Sequence, residues 1–223
     1  MEAVQRSGLW VPVIEASRFE ICGEFEGLPN LDVEKVASCA ALSHSFATAI
    51  DVGAYIGVIS SYLARRFTKV VSFEAVPETF RLLERNVGAL PNVEVKNVAA
   101  GNTAEEVFFT HYPSHGQLSH VAGNDDHPAA VKIGPIPVQT IDSFGFADVS
   151  FIKIDVEGHE LPVLEGARET ILRCRPVIMI EQGGNEAKYF GRPRDEASTF
   201  LEGMGMRPHP EAPRMSKDRL FCF

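Results

Sequence analysis

Two glycines that follow an apolar run are the first residues whose types and spacing indicate a ligand-binding site. Residues 47–52 form a short apolar run that contains Asp51, and Gly53 and Gly57 follow it before a helical pattern at residues 58–67. A run of this length predicts a buried parallel strand. Glycine lets backbone approach a small molecule closely, and a strand, a glycine turn and a helix in that order place the molecule at the strand end. The stretch therefore predicts a small-molecule site.

A carboxylate follows the next predicted strand. Glu74 comes directly after residues 69–73 and 23 residues after Asp51. A carboxylate at this point can accept hydrogen bonds from both hydroxyls of a ribose. The two features together predict a cofactor that contains a nucleoside, although glycines that only pack a strand against a helix would show the same spacing.

Acidic residues mark the predicted strand ends. Asp51, Glu74, Asp155 and Glu181 each stand at the end of an apolar run. In an open parallel sheet these ends border one crevice, so a positively charged cofactor suits the site better than a pyrophosphate does. The turn lacks the third glycine of the dinucleotide fingerprint, and it lacks the Gly-Lys-Ser/Thr of a phosphate-binding loop. S-adenosylmethionine, which has ribose hydroxyls, a sulfonium and no phosphate, fits these residues.

The elements that would position these residues can be read from the apolar periodicity. Strand patterns alternate with helical patterns such as residues 77–88, which predicts an α/β fold with a parallel sheet. The length of 223 residues suits a single domain, with an N-terminal segment at residues 1–45 and a core at residues 46–223. The predicted strands cover residues 47–52, 69–73, 93–98, 150–154 and 177–180, with a closing pair at residues 206–208 and 220–223.

A polar segment at residues 110–130 interrupts this alternation as an inserted loop. It carries His111, His115, His120 and His127. Their spacing specifies no metal geometry, so a solvated flap is favoured over substrate contact or metal binding.

The amino-acid composition disfavours several classes of binding partner. There are 21 basic and 30 acidic residues, and the net charge of -9 argues against a nucleic-acid backbone or an anionic membrane as the main partner. The four cysteines show no zinc spacing and no disulfide framework. No signal peptide or membrane-spanning run is evident, so a cytoplasmic protein is expected.

Five short motifs lie along the predicted core: DVGAYIG at 51–57, FEAVP at 73–77, VQTIDS at 138–143, FIKIDVEGHE at 151–160 and VLEGA at 163–167. Together they resemble the motifs of one enzyme family, the FkbM-type methyltransferases, whose fold is Rossmann-like. The resemblance covers about residues 47–181 and is most specific in FIKIDVEGHE. It implies a doubly wound, mostly parallel seven-stranded sheet with helices on both faces, S-adenosylmethionine as cofactor, and O-methylation of a sugar or natural product.

The resemblance also implies roles for single residues. Gly53 and Gly57 would let the carboxypropyl end of the cofactor lie on the turn, Asp51 would order that turn, and Glu74 would hold the ribose. Asp155 would face the methyl group. The full set of implied cofactor contacts is Asp51, Gly53, Ala54, Tyr55, Gly57, Glu74, Ala75, Asn97, Ala99 and Asp155.

A hydroxyl acceptor must lose its proton during methyl transfer. Asp155, Glu157 and His159 are the candidates for accepting it, and His159 has the most suitable unperturbed pKa. A divalent metal held by Asp155 and Glu181 is an alternative way to acidify the hydroxyl.

Three other functions remain open at this point. Glu74 would also suit a nicotinamide-dependent oxidoreductase. A nucleic-acid methyltransferase is disfavoured by the net charge and by the absence of an Asn/Asp-Pro-Pro-aromatic loop after the fourth strand. A cofactor-binding module without catalysis would keep the same motifs. The acceptor expected here is a small hydroxylated molecule, and neither its identity nor the oligomeric state follows from the sequence.

Overall fold

The computed structural model describes residues 1–113, 115–123, 128–213 and 215–223. The α-helices are α1 Ala16–Ile21, α2 Val33–Ala40, α3 Val58–Leu63, α4 Pro77–Val87, α5 Glu160–Glu165, α6 Arg168–Cys174, α7 Asn185–Phe190 and α8 Glu196–Gly203. Short 3-10 helices lie at Val13–Glu15, Gly116–Leu118 and Ile141–Phe144. The strands are β1 Ala3–Arg6, β2 Leu9–Pro12, β3 Glu24–Phe25, β4 Leu28–Pro29, β5 Thr48–Val52, β6 Lys69–Phe73, β7 Val93–Lys96, β8 Ala99–Ala100, β9 Glu106–His111, β10 His120–Val121, β11 Val131–Gln139, β12 Val149–Ile154, β13 Val177–Glu181, β14 Arg207–Pro208 and β15 Asp218–Cys222.

Within the described residues, the main sheet has seven strands in the order β14-β15-β13-β12-β5-β6-β7. The five strands from β13 to β7 in this order are parallel to their neighbours, and β15 and β14 are added antiparallel. The predicted mostly parallel seven-stranded sheet is confirmed.

Helices cover both faces of this sheet because side chains alternate along the buried strands. Phe151 packs with α2 and α3 on one face, whereas Ile152 packs with α5, α6 and α8 on the other. Each central strand is buried on both faces, which is why it reads as a nearly continuous apolar run.

Strand register sets the position of the site. Val52 pairs with Ile154 on one side and with Phe73 on the other. The central strands therefore end at the same level, and the residues that follow them meet at one edge.

The segment predicted as a solvated flap is largely structured in its described part, so that prediction is wrong there. His111 ends β9 and is 4% exposed, and His120 is fully buried and stacks on Tyr189 with ring centroids 3.7 Å apart. The physical reason is a second sheet of order β10-β9-β11-β8, whose β9 and β11 bury Phe109, Ile136 and other apolar residues between them and the main domain. His127 lies outside the described residues.

The N-terminal segment docks on the main domain. Its first two strands form a hairpin of their own. The side-chain amide of Asn86 in α4 accepts from the Trp10 N–H at 2.7 Å and donates to the Trp10 carbonyl at 2.9 Å. The guanidinium of Arg85 lies 3.3 Å from the centroid of the Trp10 ring. Among the described residues, no helix is both long enough and apolar enough to span a bilayer.

Candidate active site

A cleft opens at the shared carboxyl edge of β5, β6, β12 and β13. It has two adjoining compartments of about 60 Å³ and about 440 Å³. The smaller one is lined mainly by apolar residues together with Glu74, and the larger one is lined mainly by polar and charged residues. Five residues border both compartments: Gly53, Tyr55, Gln117, Asp155 and Glu157.

Gly53 brings the turn after β5 into direct contact with the loop after β12. Its φ is +76°, and a Cβ at this position would lie 1.9 Å from the Asp155 carbonyl oxygen. The N–H groups of Gly53 and Ala54 both donate to the Phe73 carbonyl, at 3.0 Å and 2.9 Å. Only glycine fits this approach, so the turn is held flush against both neighbouring strand ends.

Gly57 has a different surrounding from the predicted one. It precedes α3 with φ +88°, and a Cβ here would lie 2.8 Å from Leu83 Cδ1 and 3.1 Å from Val87 Cγ1 of α4. Gly57 therefore allows two helices to pack closely and is not among the described residues that line the cleft.

Glu74 is buried at the wall of the smaller compartment. Its two carboxylate oxygens accept the N–H groups of Tyr55 and Val76, each at 2.9 Å. Burial raises the pKa of Glu74 to about 7, although these hydrogen bonds act in the opposite direction. Ala75 and Ala99 line the same compartment. The Asn97 amide instead donates to the carbonyls of Glu74 and Ala75 and so positions this wall from behind.

Asp51 lies beneath the turn and is fully buried. Its Oδ2 accepts from the Ser60 hydroxyl at 2.7 Å, and Ser72 donates to Ser60 at 2.8 Å. Its Oδ1 lies 3.6 Å from the Lys153 ammonium. Asp51 thus lies below the cleft and is linked to the Gly53 turn through Lys153.

Lys153 is a site residue that the sequence reasoning missed. It is 7% exposed, and its ammonium donates to the Gly53 carbonyl at 3.2 Å and pairs with Asp155 Oδ2 at 3.3 Å. Burial lowers the pKa of Lys153, but the carboxylates of Asp155 and Asp51 outweigh burial and raise it overall. A single lysine inside an apolar strand is the signal that could have identified it.

Three carboxylates meet above Lys153. Oxygen atoms of Asp155, Glu157 and Glu181 all lie within 4.8 Å of one another. Burial raises the pKa of Asp155, but Lys153 outweighs it and holds that pKa below its usual value. Burial and the neighbouring Asp155 raise the pKa of Glu157 to about 7 and that of Glu181 to about 9. Because Lys153 supplies positive charge to the cluster, we assign no metal to it.

His159 has an environment unlike the one its sequence position suggests. It borders the smaller compartment, and burial together with Arg192 lowers its pKa to about 4. Its Nδ1 is buried without a hydrogen-bond partner in the described part of the chain. His159 is therefore a neutral and weakly basic imidazole at physiological pH.

Two non-glycine residues that border both compartments have left-handed backbones. Tyr55 has φ +53° and Glu157 has φ +55°, a conformation that is uncommon and strained for such residues.

The Tyr55 hydroxyl donates to Glu15 Oε1 at 2.7 Å, and the same oxygen accepts from the Gly116 N–H at 3.2 Å. Glu15, from the N-terminal segment, thus links Tyr55 in the turn after β5 to Gly116 in the lining of the smaller compartment.

Residues 51–208 match the family described as the methyltransferase FkbM domain, which covers more than half of the 223 residues. The chain belongs to this family. The predicted resemblance to this family is confirmed.

Curated relatives match different parts of this FkbM domain, and the chain spans less than two thirds of the length of two of the three described here. Methyltransferase 1 of Beauveria bassiana is 23% identical over 188 residues, with 74% of each chain covered. Hexuronic acid methyltransferase AglP of Haloferax volcanii is 26% identical over 159 residues, which cover 68% of this chain and 63% of AglP. The AMB antimetabolite synthetase AmbE of Pseudomonas aeruginosa is 39% identical over 79 residues, which cover 34% of this chain and 4% of AmbE.

Solved structures share the fold. The FkbM methyltransferase of Methylobacillus flagellatus KT has a TM-score of 0.51 at 20% identity, covering 80% of this chain and 44% of that one. A TehB-like S-adenosylmethionine-dependent methyltransferase of Corynebacterium glutamicum has a TM-score of 0.51 at 13% identity, covering 94% and 93%.

Family membership implies S-adenosylmethionine as methyl donor, and the residues of the cleft fit this cofactor. The smaller compartment combines the Glu74 carboxylate with apolar walls at Ala99 and Phe109. This combination suits a nucleoside, whose ribose hydroxyls can donate to a carboxylate and whose base can pack on apolar side chains. Because Gly53 has no side chain and borders both compartments, a ligand in the cleft can contact the backbone of this turn directly. The acidic cluster at the larger compartment suits a sulfonium.

Proposed function

We propose that this methyltransferase transfers a methyl group from S-adenosylmethionine to a hydroxyl of a small polar acceptor, such as a sugar acid. The observation that carries this proposal is the lining of the larger compartment. Its charged residues come from several separate elements, and Tyr55 is the only aromatic side chain among its described lining residues. The charged lining residues are Arg18, Asp32, Lys35, Lys153, Asp155, Glu157, Glu181, Lys217 and Asp218.

A polar chamber of this kind favours an acceptor with several hydrogen-bonding groups over a flat aromatic one. Each charged wall residue would lose hydration against an apolar surface without compensation, whereas hydroxyl or carboxylate groups can replace that hydration. The sequence similarity to a hexuronic acid methyltransferase points to the same class of acceptor.

S-adenosylmethionine supplies a methyl group bound to a sulfonium, and the protein must place the acceptor oxygen and remove its proton. Glu157 is the residue best suited to accept that proton. It borders both compartments, it is fixed by a hydrogen bond from the Asn185 side-chain amide, and its pKa of about 7 is matched to neutral pH. Asp155 and His159 have lowered pKa values and are weaker bases.

The proposal is tested first by calorimetry with S-adenosylmethionine and, in parallel, with a nicotinamide cofactor. We expect binding of S-adenosylmethionine alone, and no binding of it would refute the proposal. A methyl-transfer assay on a panel of uronic acids, neutral glycosides and phenols follows. We expect turnover with the sugar-like acceptors, and turnover of phenols alone would contradict the proposed acceptor class.

Glu157→Gln tests the assigned base. We expect kcat to fall about 100-fold or more, because general bases typically contribute that much, with cofactor affinity changed less than about threefold. Glu165→Gln is the matched control, since Glu165 is exposed on α5 and its carboxylate accepts a hydrogen bond from the Asn102 side-chain amide. A Glu157→Gln enzyme with full kcat would exclude Glu157 as the base.

A further inference from the structure

A lysine occupies the interior of β12 between apolar residues. Phe151, Ile152 and Ile154 are 0% exposed, and Lys153 is 7% exposed. A buried ion pair is often no more stabilising than well-packed apolar residues of similar volume. The presence of an ammonium at this depth therefore points to a use other than stability.

The contacts of Lys153 reach both halves of the cleft. Its Nζ lies 3.2 Å from the Gly53 carbonyl oxygen and 3.3 Å from Asp155 Oδ2. It also lies 3.6 Å from Oδ1 of Asp51, which is its register partner on β5. One ammonium thus joins the turn that would hold the cofactor to the loop that carries the acceptor-side carboxylates.

Charge adds a second reason for this position. Asp51 and Asp155 flank the ammonium, and Glu157 and Glu181 lie just beyond Asp155. Without Lys153, four carboxyl groups would face one another, offset among the described residues by Lys217, which pairs with Glu181 at 3.7 Å, and by the more distant Lys35 and Lys188. The electrostatic potential of the cleft therefore depends directly on this residue.

We propose that Lys153 is a positioning residue for methyl transfer, which holds the Gly53 turn in register with Asp155 and balances the carboxylates beside the bound sulfonium. The proposal rests on the proposed placement of S-adenosylmethionine at the Gly53 turn. It differs from a purely structural role in one measurable respect. A structural defect weakens charged and neutral ligands alike, whereas loss of a positive charge favours the charged ligand.

The test compares the affinities of S-adenosylmethionine, which carries a sulfonium, and S-adenosylhomocysteine, which does not. Both are measured by calorimetry on the wild type, Lys153→Met and Lys153→Arg. We expect Lys153→Met to shift the affinity ratio toward S-adenosylmethionine by about tenfold, as suits the loss of one unit charge near a bound cation. Lys153→Arg should keep the ratio within about threefold of the wild type while weakening both ligands, because a larger guanidinium cannot make the same three contacts.

Lys69→Met is the matched control. Lys69 is the first residue of β6 and so lies at the amino end of that strand, away from the cleft, where it pairs with Glu94 at 3.0 Å. Its loss should leave the affinity ratio unchanged. If Lys153→Met does not fold, Lys153→Gln removes the same charge with a side chain that can still donate to Gly53, and the same shift is expected.

The outcomes separate this inference from the proposed function. A wild type that binds neither ligand would overturn both. A wild type that binds them, with a ratio that Lys153→Met or Lys153→Gln does not change, would overturn the role of Lys153 alone. A shift of the same size in Lys153→Arg would also overturn it, since that variant keeps the charge.

Discussion

Gly53→Ala places one methyl group at the contact between the cofactor turn and the loop after β12. The new Cβ would lie 1.9 Å from the Asp155 carbonyl oxygen and 3.0 Å from its carbonyl carbon. These are backbone atoms, and the Asp155 N–H is itself bonded to the Val52 carbonyl at 3.1 Å, so they cannot swing aside as a side chain would.

The expected magnitude has two parts. A non-glycine residue in the left-handed region costs about 1–2 kcal/mol, and overpacking against fixed neighbours typically costs a further 1–3 kcal/mol. We therefore expect Gly53→Ala to lower the free energy of unfolding by about 2–5 kcal/mol. We also expect it to weaken S-adenosylhomocysteine binding at least about tenfold, because the turn must move away from its neighbours.

Gly145→Ala is the matched control for backbone strain. Gly145 has φ +65°, and nothing lies within 4 Å of its added Cβ, so its replacement carries the first part of the cost alone. Urea denaturation of both variants and calorimetry with S-adenosylhomocysteine make the comparison. Equal losses of stability in the two variants, or unchanged ligand affinity in Gly53→Ala, would refute the close approach as the reason for glycine.

Two further predictions concern buried carboxylates. Burial raises the pKa of Glu160 to about 8 against backbone hydrogen bonds that lower it, so the folded state holds this proton more tightly than the unfolded state does. Its contribution to stability is complete below about pH 4.5 and is lost as pH rises to about 8, by at most about 1.4 kcal/mol per pH unit. Glu160→Gln should flatten this part of the pH profile in urea melts, and an unchanged slope would contradict the shift. Tyr55→Phe removes a donor from buried Glu15 and should lower the free energy of unfolding by about 1–3 kcal/mol. Faster hydrogen exchange at the Gly116 amide should accompany it, and unchanged exchange would show that Tyr55 does not position Glu15 for its hydrogen bond with Gly116.

Regular parts of the fold were predictable because local periodicity and tertiary burial agree. The strand Lys69–Phe73 was predicted with the bounds that the structure shows. The strand β11 was harder to predict from the sequence, because Pro135 and Pro137 have no backbone N–H to donate and proline is unusual inside a strand. The structure accommodates them with a register shift between Ile133 and Ile136.

The candidate site was predictable where one residue type has a local reason to be there. Gly53 and Gly57 look alike in sequence, yet one packs against a neighbouring loop and the other against a neighbouring helix. His159 was favoured as base on its unperturbed pKa, which burial and Arg192, 33 residues downstream, move by contacts that no local pattern encodes. Glu15 was missed for the same reason, because its partners are remote in sequence.

The N-terminal segment has a consequence for how acceptor choice could change. The family match begins at Asp51, yet Arg18, Asp32 and Lys35 from the preceding segment form one wall of the larger compartment. Under the proposed function, part of the wall that would contact the acceptor is thus encoded outside the stretch that matches the family. Exchanging residues 1–46 for those of another FkbM protein should therefore alter the accepted substrate.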